Sequence, residues 1–274
     1  PVCAAIGSNH FYSYDQTDVL KSISRRKTHG KARCKVELKE SNPREKAFLP
    51  FEWQTKPGSY FTEDAQAVRK ALLERNEADG LVGFNDITTD EAGRVYAGGL
   101  GSSPVFEDGR APQSENLYLI DLDGTTVKVA EDVRLTNGLG FSPNGRLLYH
   151  SDSLRRQVCF YEVNEDGSLG PKQVFVKTEK GVPDGLVVSE DGAVWVALAG
   201  GGSGVAVYEP TGTLREMIEI PHPMCTSVCF GGEDLKDLYI VSGSDGLEGD
   251  ARGGVFRVRT SVAGLTVPLA RVPV

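Results

Sequence analysis

Leu135-Thr136-Asn137-Gly138-Leu139-Gly140-Phe141-Ser142-Pro143-Asn144-Gly145-Arg146-Leu147-Leu148-Tyr149 is a pattern that the chain writes more than once. Asn85-Asp86-Ile87 runs into Gly93-Arg94-Val95-Tyr96 in the same way, and Asp184-Gly185-Leu186 runs into Gly192-Ala193-Val194-Trp195. Each copy opens on Asn or Asp, continues as a short apolar strand, turns, and resumes as a second strand carrying an aromatic. The turns are Asp90-Glu91-Ala92-Gly93, Pro143-Asn144-Gly145 and Glu190-Asp191-Gly192. A fourth copy, Thr226-Ser227-Val228-Cys229-Phe230-Gly231-Gly232, leads to Tyr239-Ile240-Val241, with Thr-Ser in place of the opening Asn or Asp. Repetition at roughly 45 residues marks a blade-built protein, and this length has room for about six units. The expected fold is all-β, a six-bladed β-propeller forming a single domain over residues 1–274. A sandwich also has short strands and frequent turns, but it gives no reason to repeat one polar residue at the mouth of alternate hairpins.

Composition agrees with this. The 32 Gly and 14 Pro punctuate strands rich in Val, Ile, Tyr and Phe, and no run resembles a membrane span. A net charge of -8 argues against a nucleic-acid partner, since phosphate binding relies on a basic surface. The expectation is a protein that binds no nucleic acid and no membrane, cytoplasmic, a monomer or weak homo-oligomer. Cys3, Cys34, Cys159, Cys225 and Cys229 show no paired motif spacing, so they read as free thiols. The stretch 16–80 fits the repeat poorly and is net basic, which reads as a solvated outer edge or a docking face. Within it, Thr62-Glu63-Asp64-Ala65 followed by Val68, Ala71 and Leu72 predicts a capped helix.

In a propeller the innermost strands start near the central axis, so Asn85, Asn137 and Asp184 are expected to converge on one pocket. Their amide and carboxylate oxygens are hard ligands of the kind calcium and magnesium prefer. A divalent cation at the channel mouth follows. Asn-Gly and Asp-Gly are also common tight-turn dipeptides, yet each repeat already has its hairpin turn later, at Gly93, Gly145 or Gly192. His150, beside Ser151-Asp152-Ser153, is a candidate to line the pocket, against the plainer reading of a hydrogen-bonded structural histidine. Asp152 reads equally as a turn residue or as a carboxylate behind the pocket. Tyr149 and Trp195 read as blade packing. No Gly-x-Ser-x-Gly elbow exists, and the four histidines lie in no catalytic spacing.

With Ser151-Asp152-Ser153, Val182-Pro183-Asp184-Gly185-Leu186, Val194-Trp195-Val196-Ala197 and the Thr226–Gly232 stretch, the ordered series resembles the senescence marker protein/gluconolactonase/luciferin-regenerating-enzyme family from about Gly83 onward. The resemblance implies a metal-dependent lactonase: one divalent cation, calcium first with zinc, manganese or magnesium also admissible, and a small-molecule lactone substrate. It implies Asn85, Asn137 and Asp184 as metal ligands, Asp184 as general base, and Asn85 on the substrate side; His150, from its place beside Ser151-Asp152-Ser153, is the further substrate-side candidate. The family's remaining ligand, a Glu in a Glu-Gly-Pro motif, would fall just ahead of Pro1. Two residues before Asn85 sugar-lactone members often place an Arg; here it is Gly83, which favours a less hydroxylated lactone. Two alternatives stand beside this reading: a catalytically silent propeller that binds a ligand or partner, and a hydrolase of other esters or organophosphates at the same metal.

Overall fold

A computed structural model of the chain describes residues 47–49, 73, 76, 78, 80–101, 113–248 and 253–273. The helix expected near residue 62 and most of the basic stretch lie outside them. In chain order the strands are β1 (Ala47–Leu49), then β2 (Gly83–Thr89), β3 (Val95–Leu100), β4 (Glu115–Ile120) and β5 (Thr126–Val133). There follow β6 (Thr136–Phe141), β7 (Leu147–Asp152), β8 (Gln157–Glu162) and β9 (Gln173–Lys177), then β10 (Val182–Val188), β11 (Val194–Ala199), β12 (Gly204–Tyr208) and β13 (Leu214–Glu219). The last three are β14 (Cys225–Gly231), β15 (Asp237–Ser242) and β16 (Val255–Arg259).

These strands make four antiparallel four-stranded sheets among the described residues: β2 to β5, β6 to β9, β10 to β13, and β14-β15-β16 completed by β1. The fourth sheet therefore takes its outermost strand from the opposite end of the chain, with the backbone of residue 48 in register with that of residue 256. The described residues are all-β apart from short 3-10 turns, and the four sheets match the four copies of the repeat.

Local sequence explains each hairpin. Gly93 donates its N–H to the Asp90 carbonyl, Gly145 to Ser142 and Gly192 to Ser189, and all three glycines take φ between 68° and 93°. That left-handed conformation is one that glycine adopts without steric cost, which is why the turns end on it. Asp90 adds side-chain bonds to the Gly93 and Arg94 N–H groups and an ion pair to Arg94 at 2.6 Å.

The blades are held face to face by the aromatic of each second strand. Tyr96 of β3 meets Phe141 of the next inner strand edge-on at 5.3 Å, and Trp195 of β11 meets Phe230 at 5.2 Å. Between them, Tyr149 of β7 packs with Leu186 and Val188 of β10. Tyr96, Tyr149 and Trp195 are all essentially inaccessible, so the repeated aromatic is blade packing. Trp195 satisfies its indole N–H on the Ser189 hydroxyl at 2.9 Å, as a buried indole requires.

Candidate functional site

The inner strands β2, β6, β10 and β14 lie side by side in that order, and each breaks register at the same point of the repeat. The breaks fall between Phe84 and Ile87, Thr136 and Leu139, Pro183 and Leu186, and Cys225 and Ser227. A β-bulge inserts an unpaired residue and re-aims its side chain, and such bulges favour sites of function. Here they contain Asn85-Asp86, Asn137-Gly138, Asp184-Gly185 and Thr226. The Asn-Gly and Asp-Gly dipeptides are thus inside strands, and neither Gly138 nor Gly185 has a positive φ. Both serve close approach. A Cβ on Gly138 would lie 2.2 Å from the Leu186 backbone nitrogen, and one on Gly185 would lie 2.8 Å from the Ser227 hydroxyl.

The structure brings Asn85 and Asn137 into direct contact. The Asn85 Nδ2 donates to Asn137 Oδ1 at 2.5 Å and to the Thr136 carbonyl at 2.6 Å. Asn137 Nδ2 in turn donates to Ser153 Oγ at 2.7 Å, and Ser153 Oγ donates to the Pro183 carbonyl at 2.6 Å, one residue before Asp184. Asp184 and Asp86 form the acidic side. Burial raises the Asp184 carboxyl to about 8, with the nearby charge of Asp86 as the second cause and the Gly185 N–H opposing. Burial likewise raises Asp86 to about 7, partly offset by the Ile87 N–H at 2.7 Å. Two carboxyls with so little solvation are short of positive charge.

Asp86 is the member that sequence reasoning missed. It occupies the place that Gly138 and Gly185 hold in the next two repeats, and that departure from glycine inside an otherwise regular repeat was its only signal. In the fourth repeat, Thr226 donates its hydroxyl to the Val241 carbonyl of its own blade at 3.3 Å.

His150 stands elsewhere. It is fully buried on β7, opposite Leu139 and Cys159 and stacked against Tyr161 at 6.2 Å. Neither ring nitrogen has a hydrogen-bond partner, so in this conformation it is not the hydrogen-bonded histidine of the plainer reading. Burial lowers its pKa to about 4, with the Asp152 charge opposing. The unfolded chain, with an ordinary value near 6.5, therefore binds a proton between those limits that the folded chain rejects. Stability from this group is complete above pH 6.5 and is lost as pH falls towards 4, by about 3 kcal/mol. Asp86 and Asp184 act with the opposite sign, because their raised carboxyls favour the folded state at low pH. Urea unfolding of wild type and His150→Phe at pH 7, 5.5 and 4 should separate the two effects: wild type loses about 3 kcal/mol relative to the variant over that range.

Asp152 is also turned away from solvent, at 1% exposure, and its carboxylate accepts from the Leu135 and Arg134 N–H groups and pairs with Arg155 at 2.9 Å. It secures the turn after β7 on which Ser153 sits. Burial pushes the Cys159 thiol up to about 11 and Cys225 up to about 12. Such thiols stay protonated and do not act as nucleophiles.

Among the described residues no three His, Cys, Asp or Glu side chains gather around one point. The convergent set instead mixes two amides with two carboxylates, all oxygen donors. Carboxylates and amide oxygens of this kind fit a hard divalent cation, calcium or magnesium before any thiophilic metal.

Comparisons with known proteins show which family the chain resembles. The family model described as "SMP-30/Gluconolactonase/LRE-like region" matches residues 54–244. Pentonolactonase XacC of Haloferax volcanii is 34% identical, with 68% of this chain matched to 65% of that one. Regucalcin of Gallus gallus is 31% identical over 69% of this chain and 65% of its own. The crystal structure of regucalcin from Agrobacterium tumefaciens, described as a calcium-binding protein, superposes with a TM-score of 0.61 at 25% identity, covering 69% of this chain and 65% of that one. The chain thus spans just under two thirds of the length of these three proteins. No helix among the described residues is long and apolar enough to cross a membrane.

Proposed function

Because the chain belongs to the SMP-30/gluconolactonase/LRE-like family, we propose that it opens lactone rings by hydrolysis, at a pocket where the inner strands of a six-bladed propeller converge. The observation that carries this reading is the placement of Asn85, Asp86, Asn137 and Asp184 on consecutive bulges, with the two amides hydrogen-bonded at 2.5 Å. A pentonolactonase among the relatives supports the reaction class.

In this reading Asn85, Asn137 and Asp184 hold one divalent cation, calcium first, and Asp86 adds negative charge beside Asp184. When bound, a cation supplies Lewis acidity towards a carbonyl oxygen and lowers the pKa of a water. The remaining work belongs to the chain. Asp184 takes the proton of the water that attacks the ring carbonyl, as a positioned carboxylate can. Asn85, held by Thr136 and Asn137, presents its own Oδ1 to the cation or to the substrate. The ring oxygen leaves as an alcohol, so the product is a hydroxy acid and one proton is released at neutral pH.

Gly83, at the position where sugar-lactone members often carry Arg, leaves no guanidinium to bind substrate hydroxyls there. A sparsely hydroxylated γ- or δ-lactone is the expected substrate. Proton release from a panel of plain and sugar lactones tests the proposal: turnover of any supports ring opening, the ranking tests the role of Gly83, and no turnover with calcium, magnesium, manganese or zinc present contradicts it.

A further inference from the structure

We propose that Ser153 is a positioning residue that sets which end of the Asn137 amide faces the channel, so that the cation site meets oxygen and not nitrogen. The inference rests on the proposed cation site for its use, but its geometry is independent of any ligand.

An asparagine amide has two ends of similar shape and opposite hydrogen-bonding character. The partners decide which end goes where. Ser153 is 3% exposed, and its hydroxyl has one proton, which goes to the Pro183 carbonyl at 2.6 Å. Towards Asn137, 2.7 Å away, Ser153 Oγ can therefore only accept, and it demands the amide nitrogen. The far side makes the same demand. The Thr136 carbonyl can only accept, so it fixes the nitrogen of Asn85, and Asn85 then offers its second proton to the atom of Asn137 that faces it. That atom must be oxygen. A flipped Asn137 would set oxygen against an oxygen with no proton to give, and NH2 against NH2.

The bonds form one directed chain: Asn85 donates to Asn137, Asn137 to Ser153, and Ser153 to Pro183. The direction of these bonds leaves Asn137 Oδ1 with a spare lone pair and Asn85 Oδ1 uncommitted by that chain. The Ser153 hydroxyl joins the second repeat to the third, and the turn carrying it is anchored by its N–H on the Leu135 carbonyl at 3.0 Å and by the Asp152–Arg155 pair. Alanine at position 153 leaves the chain without its far acceptor, so only Asn85 then opposes the flip and the Asn137 amide is no longer held from both ends.

A double-mutant cycle read by calcium calorimetry on the full chain tests this. Ser153→Ala should weaken calcium binding about 10- to 100-fold, the usual effect of removing a residue that orients a ligand. In an Asn137→Asp background the same replacement should cost no more than about threefold, because a carboxylate has oxygen at both ends and no orientation to set. An equal loss in both backgrounds means a merely structural serine and overturns the proposal, as does wild-type affinity in Ser153→Ala. Side-chain amide exchange of Asn137, followed by nitrogen-15 NMR without metal, decides the matter separately from the cation. Protection present in wild type and lost in Ser153→Ala supports the orienting role even if wild type binds no calcium, an outcome that would sink the cation site alone. Equal protection in both proteins overturns the orienting role.

Discussion

Asp184→Asn should fold like wild type and lose lactone turnover by about 10²- to 10⁴-fold, the range attributed to a positioned general base. The replacement is nearly isosteric and preserves the bulge on β10, so inter-blade packing around Gly185 and Leu186 is retained. What disappears is the carboxylate itself, with the negative charge the proposed cation would need and the basicity the attacking water would need. The test is kcat on the best lactone together with the unfolding midpoint. A variant with the midpoint retained and turnover unchanged removes Asp184 from the mechanism.

Gly138→Ala should damage both the fold and the site. Its Cβ would lie 2.2 Å from the Leu186 nitrogen, 2.7 Å from the Asp184 carbonyl oxygen and 2.8 Å from the Gly185 carbonyl carbon. All three neighbours are backbone, so relief requires β6 and β10 to separate. Overpacking of this kind costs about 3 kcal/mol. Because β6 carries Asn137 and β10 carries Asp184, the same displacement misplaces the reacting groups, and turnover should fall about 10²-fold. Gly145→Ala is the control. Its Cβ meets nothing within 4 Å, and only the φ of +68° is strained, so it should lose about 1 kcal/mol and keep its activity. Equal effects of the two replacements, measured by urea unfolding and turnover, would show that close approach is not the purpose of Gly138.

Much of this was legible in the sequence because the repeat is physical. The turns ending at Gly93, Gly145 and Gly192 need a residue tolerant of positive φ, and the second-strand aromatics need a face to bury, so both recur and both expose the blade. The opening polar residue was legible for the opposite reason. It has no structural need to be Asn or Asp at every copy, and the bulges show that it is re-aimed instead of paired. Asn-Gly, however, looked like a choice between a turn and a site. The structure shows a third role for its glycine, close packing against the next blade, which only the placement of neighbouring strands reveals. Asp86 escaped notice because a carboxylate beside Asn85 reads as an ordinary solvated residue until its surroundings are known. His150 attracted notice because histidine is chemically versatile, but strand alternation places it with Leu148 and Tyr161 on the face turned towards the preceding blade. Ser153 was visible only as part of Ser151-Asp152-Ser153; its role depends on Pro183, thirty residues away in sequence.

The most direct test of the central claim follows lactone hydrolysis by proton release as a chelator strips the protein and calcium, magnesium, manganese and zinc are restored one at a time. Turnover that vanishes with chelator and returns with a hard cation, but does not return in Asp184→Asn, is the predicted result. Turnover indifferent to chelator, with calorimetry showing no cation bound, would contradict it.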